Sequence, residues 1–422
     1  MKKIIFFILF LPFTIYSQWT QIGQDIVGEE NMFGIGGTVK LNAIGDVIAF
    51  GSFYESCKCV YVYENVNDSW VQKGQTIFLE DGVSQVTLNE TGDVLVFDTF
   101  GFNQNLFLYY FNGSEWVTYG DFSNLDFPLK TDGYYPIDIN HNGDIVSFGT
   151  YEKVFVIKNN NGIWEQIGQT IEGDGVGSFV RLSSDGQTLF TTAYKSKGKV
   201  FKLTNNTWEQ IGSGIIGASI QITAADISSD GSTLLIKNTN NNKAILRFNQ
   251  NSNDWELIYE LFSPAPYGNL NSSGDIFITT SKVYQNQNGN YTQLGQDLDI
   301  GVEGGFIETS INDMGDIVAI GSELYDEGKG LVRVFRYDGD LSVFSINTDY
   351  NITVYPNPVR DILYFSDFVQ NFIIYDLTGK IVKSSKELTN QVNLSNLANG
   401  TYIIKGNMKS QKSFSIKIIK AN

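Results

Sequence analysis

All-β architecture built from repeats is the fold class this chain predicts, and three observations carry the prediction. A phrase close to W-x-Q-x-G recurs seven times, beginning at Trp19, Trp70, Trp116, Trp164, Trp208, Trp255 and Tyr291. In a second phrase apolar residues alternate up to an Asn or Ser, a polar turn follows, and an apolar run resumes. It also recurs seven times, with its glycines at Gly45, Gly92, Gly143, Gly186, Gly231, Gly274 and Gly315. A third alternating run closes each unit, as in VYVYEN from Val60 and VFVIKN from Val154. Period-two alternation around a glycine turn is a β-hairpin, the glycine supplying a turn conformation that other residues resist.

In chain order, Met1 to Ser17 reads as a secretory signal peptide. Lys2 and Lys3 precede an apolar run from Ile4 to Phe13, and Ser17 is the small residue before Gln18. A membrane anchor is the lesser alternative, because Pro12 breaks a run already short of the roughly 20 residues a span needs. Residues 18–340 hold the repeats, with start-to-start steps of 51, 46, 48, 44, 47 and 36. Four strands per roughly 45 residues, seven times over, predict a seven-bladed β-propeller. The chain opens with a Trp strand, and its last unit, ending at Arg336 to Asp340, has none after it. Trp19 to Gly23 is therefore expected to complete the blade formed by about Phe306 to Tyr337, which leaves no open edge. The short sixth step leaves a degenerate blade or another count open. Within the W-x-Q phrase Trp and Gln share a face, so the Trp is expected between neighbouring blades rather than as a sugar platform.

Residues 341–351 break the repeat as a linker. Residues 352–422 then give short alternating strands separated by Pro, Gly and Asn turns, which predict a small Ig-like β-sandwich. The charges divide with the domains: nine basic and five acidic residues lie between Asp349 and Asn422, whereas the repeat region carries −23 of a chain total of −17. Such acidity excludes a nucleic-acid partner.

The repeats resemble secreted W-x-Q-[IL]-G / S-x-x-G-D proteins of environmental bacteria, similar in look to FG-GAP and integrin-type propellers. The last unit, with YTQLGQDLDIGVEGGF, SINDMGDIVAIGS and GLVRVFRYDGD, matches best. The tail resembles the type A C-terminal sorting domain of the type IX secretion system of Bacteroidetes. The residues carrying that likeness are Tyr355, Pro356, Asn357 and Pro358, then Asp376, Gly379 and Lys380, then Asn399 and Gly400, and Lys420 near the end. The resemblance implies export through the periplasm and across the outer membrane by the type IX machinery. Removal of the tail by its sortase would follow, with release or surface attachment.

Candidate chemistry is sparse. Glu29, Glu30, Glu80, Asp81, Asp126, Asp132, Glu172, Asp174, Asp299 and Glu303 fall in loops expected on one rim, where they would converge to hold Ca²⁺ or a cationic or hydroxyl-rich ligand. A solvated acidic surface is the plain alternative. The Gly-Asp turns depart from an integrin-type calcium loop, and Asp138 to Asp144 comes nearest. Cys57 and Cys59 form a C-x-C pair open to three readings: two thiols, a strained bridge, or a metal site. His141 is the one histidine, and a Ser/His/Asp triad would have to use it although it sits inside the repeated turn phrase, where an exposed position is expected. The expected function is a secreted or cell-surface binding or adhesion module for an extracellular glycan or protein. The alternatives are a carboxylate-dependent glycan hydrolase or lyase and a purely structural envelope protein.

Overall fold

The repeated turn is built by its first residue. Asn42, 2% exposed, accepts the amides of Gly45 (3.1 Å) and Val47 (2.9 Å) on its side-chain oxygen and donates to Asp46 at 2.8 Å. Gly45 sits at φ +82°, where a Cβ would also strike Ile317 at 2.9 Å. Asn89, Asn140 and Asn312 repeat this arrangement with Asp93, Asp144 and Asp316. In the fourth and fifth copies Ser183 and Ser228 take over, bonded to Asp185 and Asp230. A short polar side chain thus replaces the backbone as acceptor and fixes the hairpin register.

The computed structural model describes residues 19–28, 34–52, 58–99, 104–121, 125, 130–131, 136–150, 152–174, 176–192, 198–215, 222–238, 242–262, 268–301, 307–338, 354–376, 381–385, 387–408 and 413–421. The chain divides into two compact units, Met1–Leu341 and Ser342–Asn422. It is all-β, with one helical turn among the described residues, Tyr325–Gly328.

Among the described residues the first unit contains seven small antiparallel sheets built on four strands, in sequence order in six of them. Their first strands are Ile35–Leu41, Val83–Leu88, Ile137–Ile139, Phe179–Leu182, Ile222–Ile227, Asn269–Leu270 and Ile307–Ile311. The fourth strands carry the W-x-Q phrase: Trp70–Gln72, Trp116–Thr118, Ile163–Gln166, Thr207–Ile211, Asp254–Phe262 and Asn290–Gln293 for sheets one to six. The seventh takes its fourth strand from the other end of the chain, since Trp19–Gln21 pairs antiparallel with Phe335–Tyr337. The sixth unit, despite its 36-residue step, keeps all four strands. Two-residue strands Ile26–Val27, Ile77–Phe78, Lys130–Thr131 and Ile171–Glu172 add to the third strands of sheets seven, one, two and three.

Tryptophan joins one sheet to the next. Trp70 is 3% exposed, packs with Ile22, Ile26 and Val334 of the seventh sheet, and donates Nε1 to the Ile22 carbonyl at 3.0 Å. Trp116, Trp164, Trp208 and Trp19 donate likewise to Lys73, Tyr119, Ile167 and Leu294. Gly23, at φ +72°, lies under the Trp70 ring, where a Cβ would approach to 2.6 Å. Burying an indole removes about 200 Å² from water, on the order of 5 kcal/mol as an upper estimate.

In the second unit six strands are linked into one sheet, because the fifteen-residue strand Ile362–Asp376 changes partners along its length. Its first part pairs with Thr389–Asn393 and its last part with Gly400–Met408 and Ile381–Ser385. Register shifts between Tyr364 and Val369 and between Gln370 and Ile373 let the strand bend around a core of Leu363, Phe365, Phe372, Ile374, Ile404 and Ile418.

Candidate functional site

The residue after each Asn or Ser donates its amide to the corresponding carbonyl of the next turn. Ala43 donates to Glu90 (3.2 Å), Glu90 to His141 (2.9 Å), His141 to Ser184 (3.0 Å) and Ser184 to Ser229 (2.9 Å). Ser229 then donates to Ser272 (2.8 Å), Ser272 to Asp313 (3.2 Å), and Asp313 back to Ala43 (2.9 Å). The seven bonds form a closed cycle. It borders a cavity of about 90 Å³ whose lining includes Lys40, Asp138, Asp226, Glu90 and His141. The imidazole of His141 lies between Glu90 (3.9 Å) and Asp313 (3.7 Å), which belong to the second and seventh turns.

Five residues before each turn glycine stands one polar residue in an otherwise apolar phrase: Lys40, Thr87, Asp138, Arg181, Asp226, Asn269 and Ser310. Several of them, with their neighbours, satisfy the open edge of the adjoining first strand. Asp138 accepts the Leu182 amide at 2.7 Å and Asp226 the Leu270 amide at 2.8 Å. Ser310 accepts the Leu41 amide at 2.9 Å, Thr38 that of Val86 at 3.1 Å, and Gln85 that of Ile137 at 3.2 Å. Arg181 lies 3.7 Å from Asp226. These side chains do for the first strands what ladder partners do elsewhere, since a buried amide left unpaired costs about 1–3 kcal/mol.

The same region holds strongly perturbed groups. Burial lifts the Glu308 carboxyl to about 8 despite the favourable charges of Arg181, Lys40 and Lys243. Burial lowers Lys243 to about 7, helped by the like charge of Lys237 and opposed by Glu308. Asp138 is raised by burial against Arg181 and Lys40. Glu308 and Lys243 are not singled out by the sequence, and Asp138 is named there only as the start of the nearest approach to a calcium loop. The available signal was the charged residue at one fixed place in a phrase whose neighbours are apolar.

The sequence-predicted carboxylates lie elsewhere, spread among partners of their own. Glu172 pairs with Lys153 at 2.8 Å, and Asp299 with Arg333 at 3.2 Å. The carbonyls of Glu80 and Asp174 accept Lys58 and Lys199. Asp81 is half-buried beside Glu80. Glu29, Glu30, Asp126, Asp132 and Glu303 fall outside the described residues. Asp25, not anticipated, makes a two-point contact with Arg333, both bonds 2.8 Å, and that hydrogen bonding holds its carboxyl below the usual range. Among the described residues no three His, Cys, Asp or Glu side chains are placed to hold a metal ion. In the turns, the oxygens a calcium ion would need, Asn140 Oδ1 and both Asp138 oxygens, already accept backbone amides. Cys59 is buried and disulfide-bonded, not a free thiol, and Cys57 falls outside the described residues.

In the second unit the Tyr355 to Pro358 segment holds the last strand. Tyr355 stacks on Tyr364 with ring centroids 5.8 Å apart, and the Tyr355–Pro356 and Asn357–Pro358 bonds are cis. Asn357 Oδ1 accepts the Ile419 amide at 2.8 Å, and Val359 exchanges backbone bonds with Ile419 and Ala421. Asp376 stands opposite Tyr402, and Gly400, following Asn399, stands opposite Lys420, which is 6% exposed. Gly379 and Lys380 fall outside the described residues.

Residues 353–421 match the family model described as "Secretion system C-terminal sorting domain". A type IX sorting domain at this position implies export by the type IX secretion system to the extracellular or cell-surface space. No curated protein matches the chain. No helix among the described residues is long and apolar enough to cross a membrane.

Proposed function

We propose that residues 18–340 form a seven-bladed β-propeller displayed outside the cell as a binding or adhesion module, delivered by its C-terminal tail after a leader of residues 1–17 is removed. The observation that carries this reading is the closed cycle of seven turn-to-turn hydrogen bonds in a chain that ends in a sorting domain. The rival reading as a carboxylate-dependent hydrolase asks for acids facing a pocket that admits a sugar. The cavity of about 90 Å³ is well below the roughly 300 Å³ at which ligand pockets begin. Of its acids, Asp138 and Asp226 are engaged by backbone amides, and Glu90 and Asp313 flank His141. Ligand recognition on this reading falls to the outer surface, as adhesion requires.

Two experiments test it. Deleting residues 352–422 is expected to leave the folded repeat region in the periplasm, and its normal appearance outside the cell would contradict the delivery route. Full-length protein on glycan and protein arrays is expected to retain ligands without turning them over. Turnover lost in a Glu308→Gln variant would favour the hydrolase.

A further inference from the structure

The fourth strand of the fifth sheet differs from its six counterparts. The others run three to five residues and stop before a glycine in the left-handed region, at Gly23, Gly74, Gly120, Gly168, Gly212 and Gly295. In the fifth copy Tyr259 stands where that glycine would be. Without the break the strand continues for nine residues, Asp254–Phe262, along the whole of Asn242–Asn249. Among the described residues its backbone pairs with no other strand; the Trp255 amide is taken by Asp254 Oδ1 at 2.9 Å, and beyond it the outer side of the ladder is open. An open edge of this length is a template for strand addition.

The side chains on that edge state what it would accept. Leu257 and Phe262 are 59% and 69% exposed, among the most exposed apolar residues in the chain. Glu256 and Glu260 are exposed beside them, each oriented by an asparagine of the neighbouring strand, Asn249 and Asn242, at 2.7 Å. The strand has no lysine or arginine. A second copy pairing about Ile258 would set Glu256 against Glu260 twice, and like charges opposite one another disfavour that pairing. The register shift that leaves Ile258 without an opposite residue further twists the edge away from its own kind. A strand with lysine or arginine at the facing positions meets attraction in place of that repulsion, and the strongly acidic repeat region draws it in.

We infer that the edge of Asp254–Phe262 is a docking site for an extended, lysine- or arginine-bearing segment of a partner protein, which adds to the fifth sheet as a fifth strand. This docking does not depend on the seven sheets forming a propeller, so it stands or falls separately.

The test uses full-length protein and two nine-residue peptides, one alternating lysine with valine and the other glutamate with valine. Calorimetric titration and amide hydrogen exchange are the readouts. The lysine peptide is expected to bind saturably, at least tenfold more tightly than the glutamate peptide, and to slow exchange at Glu256 to Phe262. A Glu256→Lys/Glu260→Lys variant is expected to reverse the preference, and Tyr259→Gly to weaken binding at least tenfold. If a variant fails to fold, the preference and exchange protection in the wild-type protein decide the matter alone. No saturable binding, equal binding of both peptides, or protection confined to another sheet would overturn the inference. So would a concentration-dependent dimer that protects the same amides without peptide.

Discussion

The junction between the seventh and first sheets and the junction between the fifth and sixth solve the same packing problem with different residues. At the first, Gln24 accepts the Trp70 amide at 3.2 Å and donates to the Trp70 carbonyl at 2.7 Å, while the indole donates to Ile22 and covers Gly23. Gln75 with Trp116, Gln169 with Trp208 and Gln296 with Trp19 repeat the same clasp. At the fifth-to-sixth junction the glycine is Tyr259, the glutamine is Glu260 and the tryptophan is Tyr291. What remains on the outer side is packing of the Tyr259 and Tyr291 rings, 5.2 Å apart, with the Tyr291 hydroxyl turned back to Gly274 of its own sheet. Strength here comes from the first strands, through the Ser229 to Ser272 bond and the Asp226 contact to Leu270. Glu260 in place of the glutamine removes the clasp, and Tyr259 in place of the glycine lets the strand run on, so two adjacent residues exchange a joint between sheets for an exposed strand.

The largest test of this contrast removes Trp19 to Gln24. That deletion strips the seventh sheet of its fourth strand and Trp70 of its clasp, and it is expected to abolish cooperative thermal unfolding of the first unit in calorimetry. An unchanged transition would show that the closing strand is dispensable. Next in size, Trp116→Ala is expected to cost about 3–5 kcal/mol in chemical denaturation, whereas Tyr291→Phe is expected to cost about 1 kcal/mol. A loss well under 3 kcal/mol for Trp116→Ala would show that its ring does not carry the junction.

A third prediction concerns pH. In the folded chain Glu308 titrates near 8, above the carboxylate range it has when unfolded. Between about 4.5 and 8 the native state therefore holds a proton the unfolded state has lost, and this group makes stability fall as pH rises through that window. Lys243 titrates near 7 when folded, below its unfolded value. Above about 7, up to roughly 10.4, the unfolded state binds the extra proton, so this group makes stability rise with pH. Comparing denaturation profiles of wild type and Glu308→Gln is expected to show the variant gaining most near pH 8 and least near pH 5. The opposite trend would place Glu308 outside the buried region. Gln75→Ala is expected to cost about 1–2 kcal/mol, and smallest of all is Glu260→Ala, where no clasp exists, at close to nothing.

Much of the fold was legible in the sequence because repetition makes each local signal count seven times. The hairpins, the tryptophan's position between sheets, and the pairing of Trp19 with the last unit all followed from phrase order. The sixth sheet's completeness was less certain, since a step length does not reveal how short the loops between its strands are. The change of partners along Ile362–Asp376 in the tail escaped because a strand that switches neighbours keeps the same alternation as two strands. The functional residues were harder still. Glu172 and Asp299 stood out as acids in loops, yet each carboxylate meets a neighbouring lysine or arginine whose position only the fold fixes, and at Glu80 it is the backbone carbonyl that takes Lys58. Asp138, Arg181 and Asp226 looked like the polar half of an alternating strand. Their burial arises where seven first strands come together, which no single repeat discloses.

The claim at the centre of this account is that the seven turns form one closed ring, and the bond from the Asp313 amide to the Ala43 carbonyl closes it. Native-state hydrogen exchange of the full-length chain tests it directly at Ala43, Glu90, His141, Ser184, Ser229, Ser272 and Asp313. The account predicts that the Asp313 amide is protected to the same degree as the other six and exchanges with them in one cooperative opening. Exchange of Asp313 at the rate of an unprotected amide, with the other six still slow, would show an open array of sheets and contradict the ring.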